Sequence, residues 1–104
     1  MTLTVKTSAN SYSFDGPYTS AQSLEAQSGV YVITTRTPEG THQVIDAGES
    51  GNVHNRVTNH DRSRDWERYK QDGIYMSGYY CDEPTRMLVE KDVRSYFNPS
   101  CGDR

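Results

Sequence analysis

Two apolar segments on either side of a turn signal constrain the fold of this chain most strongly. Residues 29–35 read GVYVITT, and residues 42–47 read HQVIDA. The first segment is rich in β-branched and aromatic residues, which favour strands. Residues 37–40, TPEG, have proline second and glycine fourth, as a type I turn prefers. The sequence therefore predicts a β-hairpin, and the fold must contain a sheet around it.

The turn also predicts which residues of the hairpin face each other. If the turn is centred between residues 38 and 39, Ile33 lies opposite Val44 and Tyr31 lies opposite Asp46. Directly opposed side chains have Cβ atoms about 5 Å apart, so this carboxylate would contact the phenol or share a water with it. One extra residue in the loop would place the two side chains on opposite faces, because strands have a period of two.

The N-terminal segment is predicted to form an accessory unit. Apolar and polar residues alternate on both sides of residues 9–10, which indicates a short hairpin. A short helix is expected next, with Thr19 or Ser20 as its cap. We therefore expect residues 1–27 to form an accessory hairpin and helix, and residues 28–104 to form the main domain.

Four further elements are expected after the central hairpin. They are a helix capped by Ser50 or Asn52, a helical turn at residues 65–69, a strand at residues 73–81 and a longer helix at residues 82–97. Strands and helices in this order, without a second parallel crossover, favour a small antiparallel sheet covered by helices. The predicted fold class is therefore α+β, with a three-stranded antiparallel sheet flanked by helices.

Length and composition favour one soluble domain. The chain has 104 residues, 33% of them hydrophobic, and its eight tyrosines can close a thin core while their hydroxyls stay near the surface. No apolar run approaches the roughly 18 residues of a membrane helix, and no secretory leader is recognisable. We therefore expect a cytoplasmic protein without membrane contact. Cys81 and Cys101 lack a CxxC partner, which favours reduced thiols over a zinc site, or a disulfide if the protein is secreted.

The charge distribution singles out one basic segment. The formal net charge of -3 argues against a nonspecific nucleic-acid coat, which is usually basic overall. Residues 54–70 are nevertheless locally basic, with acids only at positions 61, 65 and 67. The basic residues of this segment are Arg56, Arg62, Arg64, Arg68 and Lys70. The segment is either a phosphate-binding surface or a solvated helical face with ion pairs.

Three features in one register resemble the GIY-YIG nuclease superfamily. They are GVY at residues 29–31, DAG at residues 46–48, and Arg56. The aspartate of the second motif follows the tyrosine of the first by fifteen residues, and the arginine follows that aspartate by ten. Glu90 matches the metal-binding glutamate of the family, and NP at residues 98–99 matches the polar-proline step that ends the family's last helix.

The resemblance covers about residues 28–102 and implies metal-dependent cleavage of DNA. In the family, the tyrosine helps to activate the attacking water, the arginine stabilises charge on the phosphate, and the glutamate holds one divalent metal. The matching residues are Tyr31, Arg56 and Glu90. His60 occupies the place of a histidine that several members carry four residues after the arginine. The implied cofactor is Mg²⁺ or Mn²⁺, bound through Glu90.

The resemblance also implies DNA as the partner. We expect the basic segment, through Arg62, Arg64, Arg68 and Lys70, to follow the phosphate backbone. A lone catalytic module of this size commonly needs help with specificity, so a homodimer or a separate specificity subunit is expected as a further partner.

Two positions depart from the family pattern. Asp46 stands where the second motif has its tyrosine, and Gly102 stands where many members carry an asparagine. A phenol has a pKa near 10, so it is a poor base at neutral pH unless a neighbour favours deprotonation. We assign Asp46 to the catalytic set as such a neighbour of Tyr31, or as a second metal ligand. If its charge instead repels phosphate, the chain is an inactive nucleic-acid-binding module. A small protein-interaction domain is the third alternative.

Each candidate residue also has a structural explanation. Tyr31 on a central strand is usually a core aromatic. Glu90 has Arg86 and Arg94 four residues away on either side, which fits a surface ladder of ion pairs. Gly48 is expected to provide the sharp exit from the second strand of the hairpin. None of these separate explanations predicts the shared register of the three motifs.

Overall fold

The computed structural model describes residues 1–101, which form one five-stranded sheet flanked by helices. The strands are β1 (Thr2–Lys6), β2 (Ser11–Tyr18), β3 (Gly29–Arg36), β4 (His42–Ser50) and β5 (Asp72–Tyr80). The helices are α1 (Val53–Thr58), α2 (Ser63–Arg68) and α3 (Glu83–Phe97). The fold class is therefore α+β. Gly102, the position of the missing family asparagine, lies outside the described residues.

The predicted three-stranded sheet is wrong, because the N-terminal hairpin belongs to the same sheet. The strand order is β1-β2-β5-β3-β4, and every neighbouring pair is antiparallel. β2 pairs with β5, with Asp15 opposite Gly78 and Tyr18 opposite Met76. Both edges of β5 are thereby hydrogen-bonded, which removes an edge otherwise open to other chains. Alternation in a sequence predicts strands but not their distant partners, so it does not show that the hairpin joins β5.

The pairing register of the central hairpin differs by two residues from the predicted one. Tyr31 lies opposite Gly48, and Ile33 lies opposite Asp46. The predicted direct opposition of Tyr31 and Asp46 is therefore wrong. A shift of two residues preserves the side of the sheet, because the side-chain period is two. Tyr31 and Asp46 consequently still share one face, at a diagonal.

Two single-residue insertions produce this shift. The turn at residues 37–40 forms as predicted, with the Gly40 N–H donating to the Thr37 carbonyl oxygen at 2.9 Å. The loop also includes Thr41, because the strands end at residues 36 and 42. A bulge then leaves Ile45 as an extra residue on β4, between the partners of Ile33 and Thr34.

β3 is buried on both faces, which explains its nearly continuous apolar sequence. Its odd-numbered side chains pack against α1 and α2, and its even-numbered ones pack against α3. The first cluster includes Tyr31, Ile33, Val53, Val57 and Trp66, and the second includes Phe14, Val30, Val32, Val89 and Val93. The aromatic ring of Tyr31 is thus part of the core. Any chemical role of Tyr31 therefore depends on the environment of its hydroxyl.

Side-chain caps define the ends of the helices. Asn52, rather than the alternative Ser50, caps α1, and Asp82 caps α3. Asn98 ends α3 in the left-handed conformation, with φ of 46°. In place of the predicted helix before residue 27, the chain forms one 3₁₀ turn at Ala21–Ser23.

Two findings concern the cysteines and the helices. In the described part of the chain, Cys81 and Cys101 are not joined in a disulfide. Within residues 1–101, every helix falls short of the length and apolarity needed to cross a membrane.

Gly48 lies inside β4 rather than at its exit, so its predicted role is wrong. The Tyr31 ring lies across the Gly48 backbone, and a Cβ atom built there would overlap the Tyr31 hydroxyl. Only glycine therefore allows Tyr31 to cross β4 at this point. Gly51 is a useful contrast, because it is exposed and a Cβ atom built there has no neighbour within 4 Å.

We expect Gly48→Ala to displace the Tyr31 ring and to lower the free energy of unfolding by about 1–3 kcal/mol, as overpacking does. Gly51→Ala is the matched control and should change it by less than about 0.5 kcal/mol. Urea unfolding of both variants measures the difference. Equal stability of the two variants would show that Tyr31 does not depend on the glycine opposite it.

Candidate functional site

A polar cleft of about 180 Å³ lies between β4, α1 and α3. Its lining combines three arginines, two glutamates and one phenol. The lining residues are Tyr31, Ala47, Gly48, Glu49, Arg56, Arg62, Glu90 and Arg94. The cleft therefore brings together Tyr31, Arg56 and Glu90, the three residues that the family resemblance assigns to chemistry.

The Tyr31 hydroxyl is hydrogen-bonded to a buried histidine. Its oxygen lies 2.5 Å from Nε2 of His60, and the Arg62 backbone N–H donates to Nδ1 of the same ring at 3.0 Å. Because Nδ1 accepts a hydrogen bond, the neutral ring carries its proton on Nε2. His60 therefore donates to the phenol oxygen, and the phenol keeps its own proton for another acceptor.

Burial sets the protonation of this pair at neutral pH. Burial, together with the charges of Arg56 and Arg62, lowers the pKa of His60 to about 4. Burial also raises the pKa of Tyr31, and the nearby Arg56 charge only partly offsets this. A neutral imidazole therefore faces a neutral phenol, so any phenolate must form during the reaction.

Asp46 is fully buried and does not line the cleft. Its Oδ2 accepts hydrogen bonds from the Trp66 indole at 2.7 Å and from Nε of Arg62 at 3.1 Å. Its Oδ1 accepts from Arg62 Nη2, Arg94 Nη1 and the Ala47 backbone N–H, at 3.3, 3.2 and 2.8 Å. Burial alone would raise the pKa of Asp46, but hydrogen bonds from Arg62 and Trp66 outweigh it, so the pKa is lowered.

These contacts define how Asp46 can act. Both carboxylate oxygens are engaged by donors from the protein, and two of the partners carry positive charge. This environment suits a structural counter-ion, and it does not suit a proton acceptor for Tyr31 or a metal ligand, because either role needs a free lone pair facing the cleft.

Arg94 uses its donors within the protein. Besides Asp46, it donates to the backbone carbonyls of Ala47 and Cys101, the latter at 2.9 Å. α3 is thereby tied to β4 and to the segment after α3.

Arg56 is different, because it is half-exposed and pairs with Asp61 at 3.2 Å, and the Asp61 side chain is 76% exposed. Exposed ion pairs of this kind are weak, so Arg56 can exchange partners.

Glu90 does not take part in the ion-pair ladder that its sequence spacing suggests. Arg86 pairs with Glu49 at 2.6 Å, and Arg94 pairs with Asp46. Within residues 1–101, Glu90 has no hydrogen-bond or ion-pair partner. Burial raises the pKa of this half-buried carboxyl, although the Arg94 charge acts in the opposite direction.

Glu90 fits the role of a ligand for Mg²⁺ or Mn²⁺. In the described part of the chain, no three His, Cys, Asp or Glu side chains are grouped to hold a metal ion. Mg²⁺ needs fewer protein ligands, because it keeps several waters and binds through one or two carboxylates and substrate phosphates. Glu90 offers unpaired oxygens at the cleft, whereas the other lining carboxylate, Glu49, is held by Arg86.

The four predicted nucleic-acid-binding residues divide into two groups. Arg62 lines the cleft. Arg64, Arg68 and Lys70 are exposed on and after α2, outside the cleft lining, and Lys70 pairs with Glu67 at 3.1 Å. The structure therefore gives Arg62 a different environment from the other three.

Sequence reasoning missed Arg94, Glu49 and Trp66 as parts of this region. The spacing of Arg86, Glu90 and Arg94 along one face of α3 was a usable signal for Arg94. Nothing local in the sequence pairs Trp66 with Asp46, because the two are twenty residues apart on different elements.

Comparison with protein-family models, with curated proteins and with solved structures finds no match to this chain.

The His60 environment predicts a pH dependence of stability. Unfolded His60 titrates near 6.5 and folded His60 near 4, so the unfolded state binds the extra proton between these values. Stability must then fall as the pH falls, by about 2 kcal/mol between pH 7 and pH 5. His60→Gln keeps an N–H donor but cannot titrate, so it should lose less stability over this range. Urea unfolding at both pH values checks this, and an equal loss in both proteins would contradict it.

The Asp46 contacts predict a large cost for removing the carboxylate. Asp46→Ala leaves two guanidinium groups and an indole N–H without their buried acceptor, so we expect the free energy of unfolding to fall by about 3 kcal/mol or more. Because the Asp46 pKa is lowered, this contribution is present above pH ~4 and is lost as the pH falls further. Chemical denaturation at pH 7 measures the effect. A loss below about 1 kcal/mol would mean that the carboxylate is not a structural counter-ion.

Proposed function

We propose that this chain is a metal-dependent DNA endonuclease of the GIY-YIG type, which hydrolyses phosphodiester bonds. The observation that supports this most is the convergence of Tyr31 from β3, Arg56 from α1 and Glu90 from α3 on one polar cleft. Each residue alone has a structural explanation. Those explanations do not require the phenol, the guanidinium and the unpaired carboxylate to meet.

Phosphodiester hydrolysis needs neutralisation of charge on the phosphoryl oxygens, and Arg56 is suited to it. Its guanidinium lines the cleft beside the Tyr31 hydroxyl, and its ion-pair partner is the exposed carboxylate of Asp61. A phosphate in the cleft is a better partner than an exposed side chain, because the site is partly shielded from water. Arg56 is therefore assigned to bind a non-bridging oxygen of the scissile phosphate.

Hydrolysis also needs a nucleophile made from water, and Tyr31 is placed to help form it. The His60 N–H donates to the phenol oxygen, which stabilises negative charge on that atom. The phenol oxygen can then orient the attacking water by accepting a hydrogen bond from it, while the proton that the water loses passes to solvent. His60 acts through Tyr31, because it is not part of the cleft lining.

Glu90 is assigned to hold Mg²⁺ or Mn²⁺ through its unpaired carboxylate. The cation, when bound there, neutralises charge on the phosphate and on the leaving oxygen. Glu90 is close enough to Glu49 for the two charges to interact, and Arg86 neutralises Glu49. This arrangement leaves Glu90 as the carboxylate that is available to a cation.

DNA is proposed as the partner through the exposed cations beside the cleft. Arg64, Arg68 and Lys70 lie on or just after α2, which follows directly from Arg62 in the cleft wall. They are assigned to the phosphate backbone on one side of the scissile bond. A cleft of about 180 Å³ accommodates little more than a phosphate and its neighbours. A second copy or a separate subunit is therefore proposed to supply sequence specificity.

An intracellular, cytoplasmic location is proposed on the basis of the thiols. In the described part of the chain, Cys81 and Cys101 form no disulfide with each other, and unbridged cysteines are typical of reducing compartments.

The proposal predicts nicking of supercoiled plasmid DNA in Mg²⁺ or Mn²⁺. Arg56→Ala and Glu90→Gln should each reduce the initial rate by about 100-fold or more, because each removes charge stabilisation in the transition state. Arg36→Ala is the matched control, since Arg36 is an exposed, ion-paired arginine at the far end of β3. Nicking that survives both cleft substitutions would come from a contaminant and would end the proposal.

Binding without cleavage is the second candidate function. It is favoured by the raised pKa of Tyr31 and by the engagement of Asp46, since both limit the supply of a base. Salt-dependent DNA binding with no nicking in either metal would support this candidate. Absence of binding at low salt would exclude both candidates and leave a protein-interaction role.

A further inference from the structure

Arg62 differs from the other cleft arginines in how its donors are used. Its Nε and Nη2 atoms donate to the two oxygens of Asp46, at 3.1 and 3.3 Å. A guanidinium is planar and presents five N–H donors in a rigid fork. The bonds to Asp46 occupy one edge of this fork. Within residues 1–101, the remaining side-chain N–H groups of Arg62 have no acceptor.

The position of Arg62 directs this free edge. Arg62 lines the cleft, whereas Asp46 is fully buried behind the cleft wall. The occupied edge, formed by Nε and Nη2, faces the buried carboxylate, so the edge between the two Nη atoms is left for a ligand in the cleft. Arg94 shares the same carboxylate but donates in addition to two backbone carbonyls. The two arginines therefore differ in function, although both bind Asp46.

We propose that the free edge of Arg62 binds a phosphate group through two N–H groups, and that Asp46 is the positioning residue that orients it. This inference rests on the proposed function, in which the cleft accepts the phosphate of a nucleic acid. A planar fork matches two oxygens of a phosphate, whereas an ammonium group acts as a point charge. Arg62 is thus a specific ligand within the site and not one of several cations along the backbone.

The same arrangement accounts for the aspartate in the second motif. An unpaired carboxylate would repel a phosphate, but Asp46 is shared by two guanidinium groups, so the local charge of the three groups is positive. The Arg62 backbone N–H also fixes the His60 tautomer that donates to Tyr31. Asp46 therefore orients Arg62, the residue proposed to bind phosphate. Through its backbone N–H, Arg62 also sets the hydrogen bond that His60 donates to Tyr31.

The inference is tested first on the unmodified protein, without metal and without DNA. Inorganic phosphate is titrated while the arginine Nε–H signals are followed by ¹H–¹⁵N NMR at pH 7. The Arg62 signal is identified as the one missing from the spectrum of Arg62→Lys. We expect it to shift and saturate, and the Arg36 signal to stay in place. A titration that leaves the Arg62 signal unmoved would overturn the inference.

Variants of Arg62 and Asp46 then distinguish the effect of the fork geometry on phosphate affinity from the effect of the positive charge. Arg62→Lys keeps the positive charge but loses the fork, so its affinity for phosphate should fall about tenfold. Arg36→Lys is the matched control, because Arg36 also places Nε and Nη2 on an aspartate, Asp72, at 3.2 and 3.0 Å, but away from the cleft. Asp46→Asn should also weaken phosphate binding, although residue 46 does not line the cleft. Wild-type phosphate affinity in Arg62→Lys would contradict binding through the fork. Wild-type affinity in Asp46→Asn would contradict the positioning role of Asp46.

The outcome is distinguishable from failure of the proposed function. A protein that does not nick plasmid DNA, but loses phosphate affinity in Arg62→Lys, would retain this inference without the nuclease activity. A protein that nicks plasmid DNA, and whose Arg62→Lys variant binds phosphate and nicks as the wild type does, would retain the activity and lose this inference.

Discussion

The hydrogen bonds and ion pairs of the buried Asp46 carboxylate are the interactions on which the arrangement of the helices around the sheet depends. They join β4 to the start of α2 through Arg62 and Trp66, and to α3 through Arg94. A carboxylate with no exposure is stable inside a protein only when its charge is balanced and its oxygens are hydrogen-bonded. Both conditions are met here. The helices on the two faces of the sheet are thus held to one strand by one side chain.

The cleft follows from this connection. Arg62 and Arg94 both line the cleft, and their hydrogen bonds to Asp46 fix their positions there. Tyr31 reaches the cleft only because β4 has a glycine where the ring crosses it. Arg86 neutralises Glu49, so Glu90 is the lining carboxylate without a partner in the described part of the chain. Arg62 and Arg94 share the single charge of Asp46, which leaves these three groups net positive. The two remaining charged groups of the cleft, Glu90 and the weakly held Arg56, are the ones that the proposed reaction uses.

Local sequence signals predicted the elements well and their long-range partners poorly. The central hairpin, the Asn52 cap and the helix between Asp82 and Asn98 follow from turn and cap chemistry that acts over a few residues. The pairing of β2 with β5 joins segments about sixty residues apart, and no local pattern specifies it. The hairpin register shows the same limit, because one extra loop residue and one bulge moved the partner of Tyr31 from Asp46 to Gly48.

The candidate site shows this division as well. Motif spacing placed Tyr31, Arg56 and Glu90 on three elements, and the sheet brings them to one cleft. The environment of Asp46 could not be read from the sequence, because its partners lie 16, 20 and 48 residues away. A carboxylate beside a predicted catalytic phenol suggests a base, whereas the same carboxylate under two guanidinium groups is a support for the site.

Paramagnetic broadening by Mn²⁺ tests most directly whether these groups converge. With substoichiometric Mn²⁺, the account predicts loss of the amide signals of Ala47 and Gly48 and of the Arg56 Nε–H signal, because all three residues line the cleft with Glu90. In Glu90→Gln these signals should persist. Broadening centred elsewhere on the protein, or identical broadening in Glu90→Gln, would show that the carboxylate does not place a cation beside the arginine and the phenol.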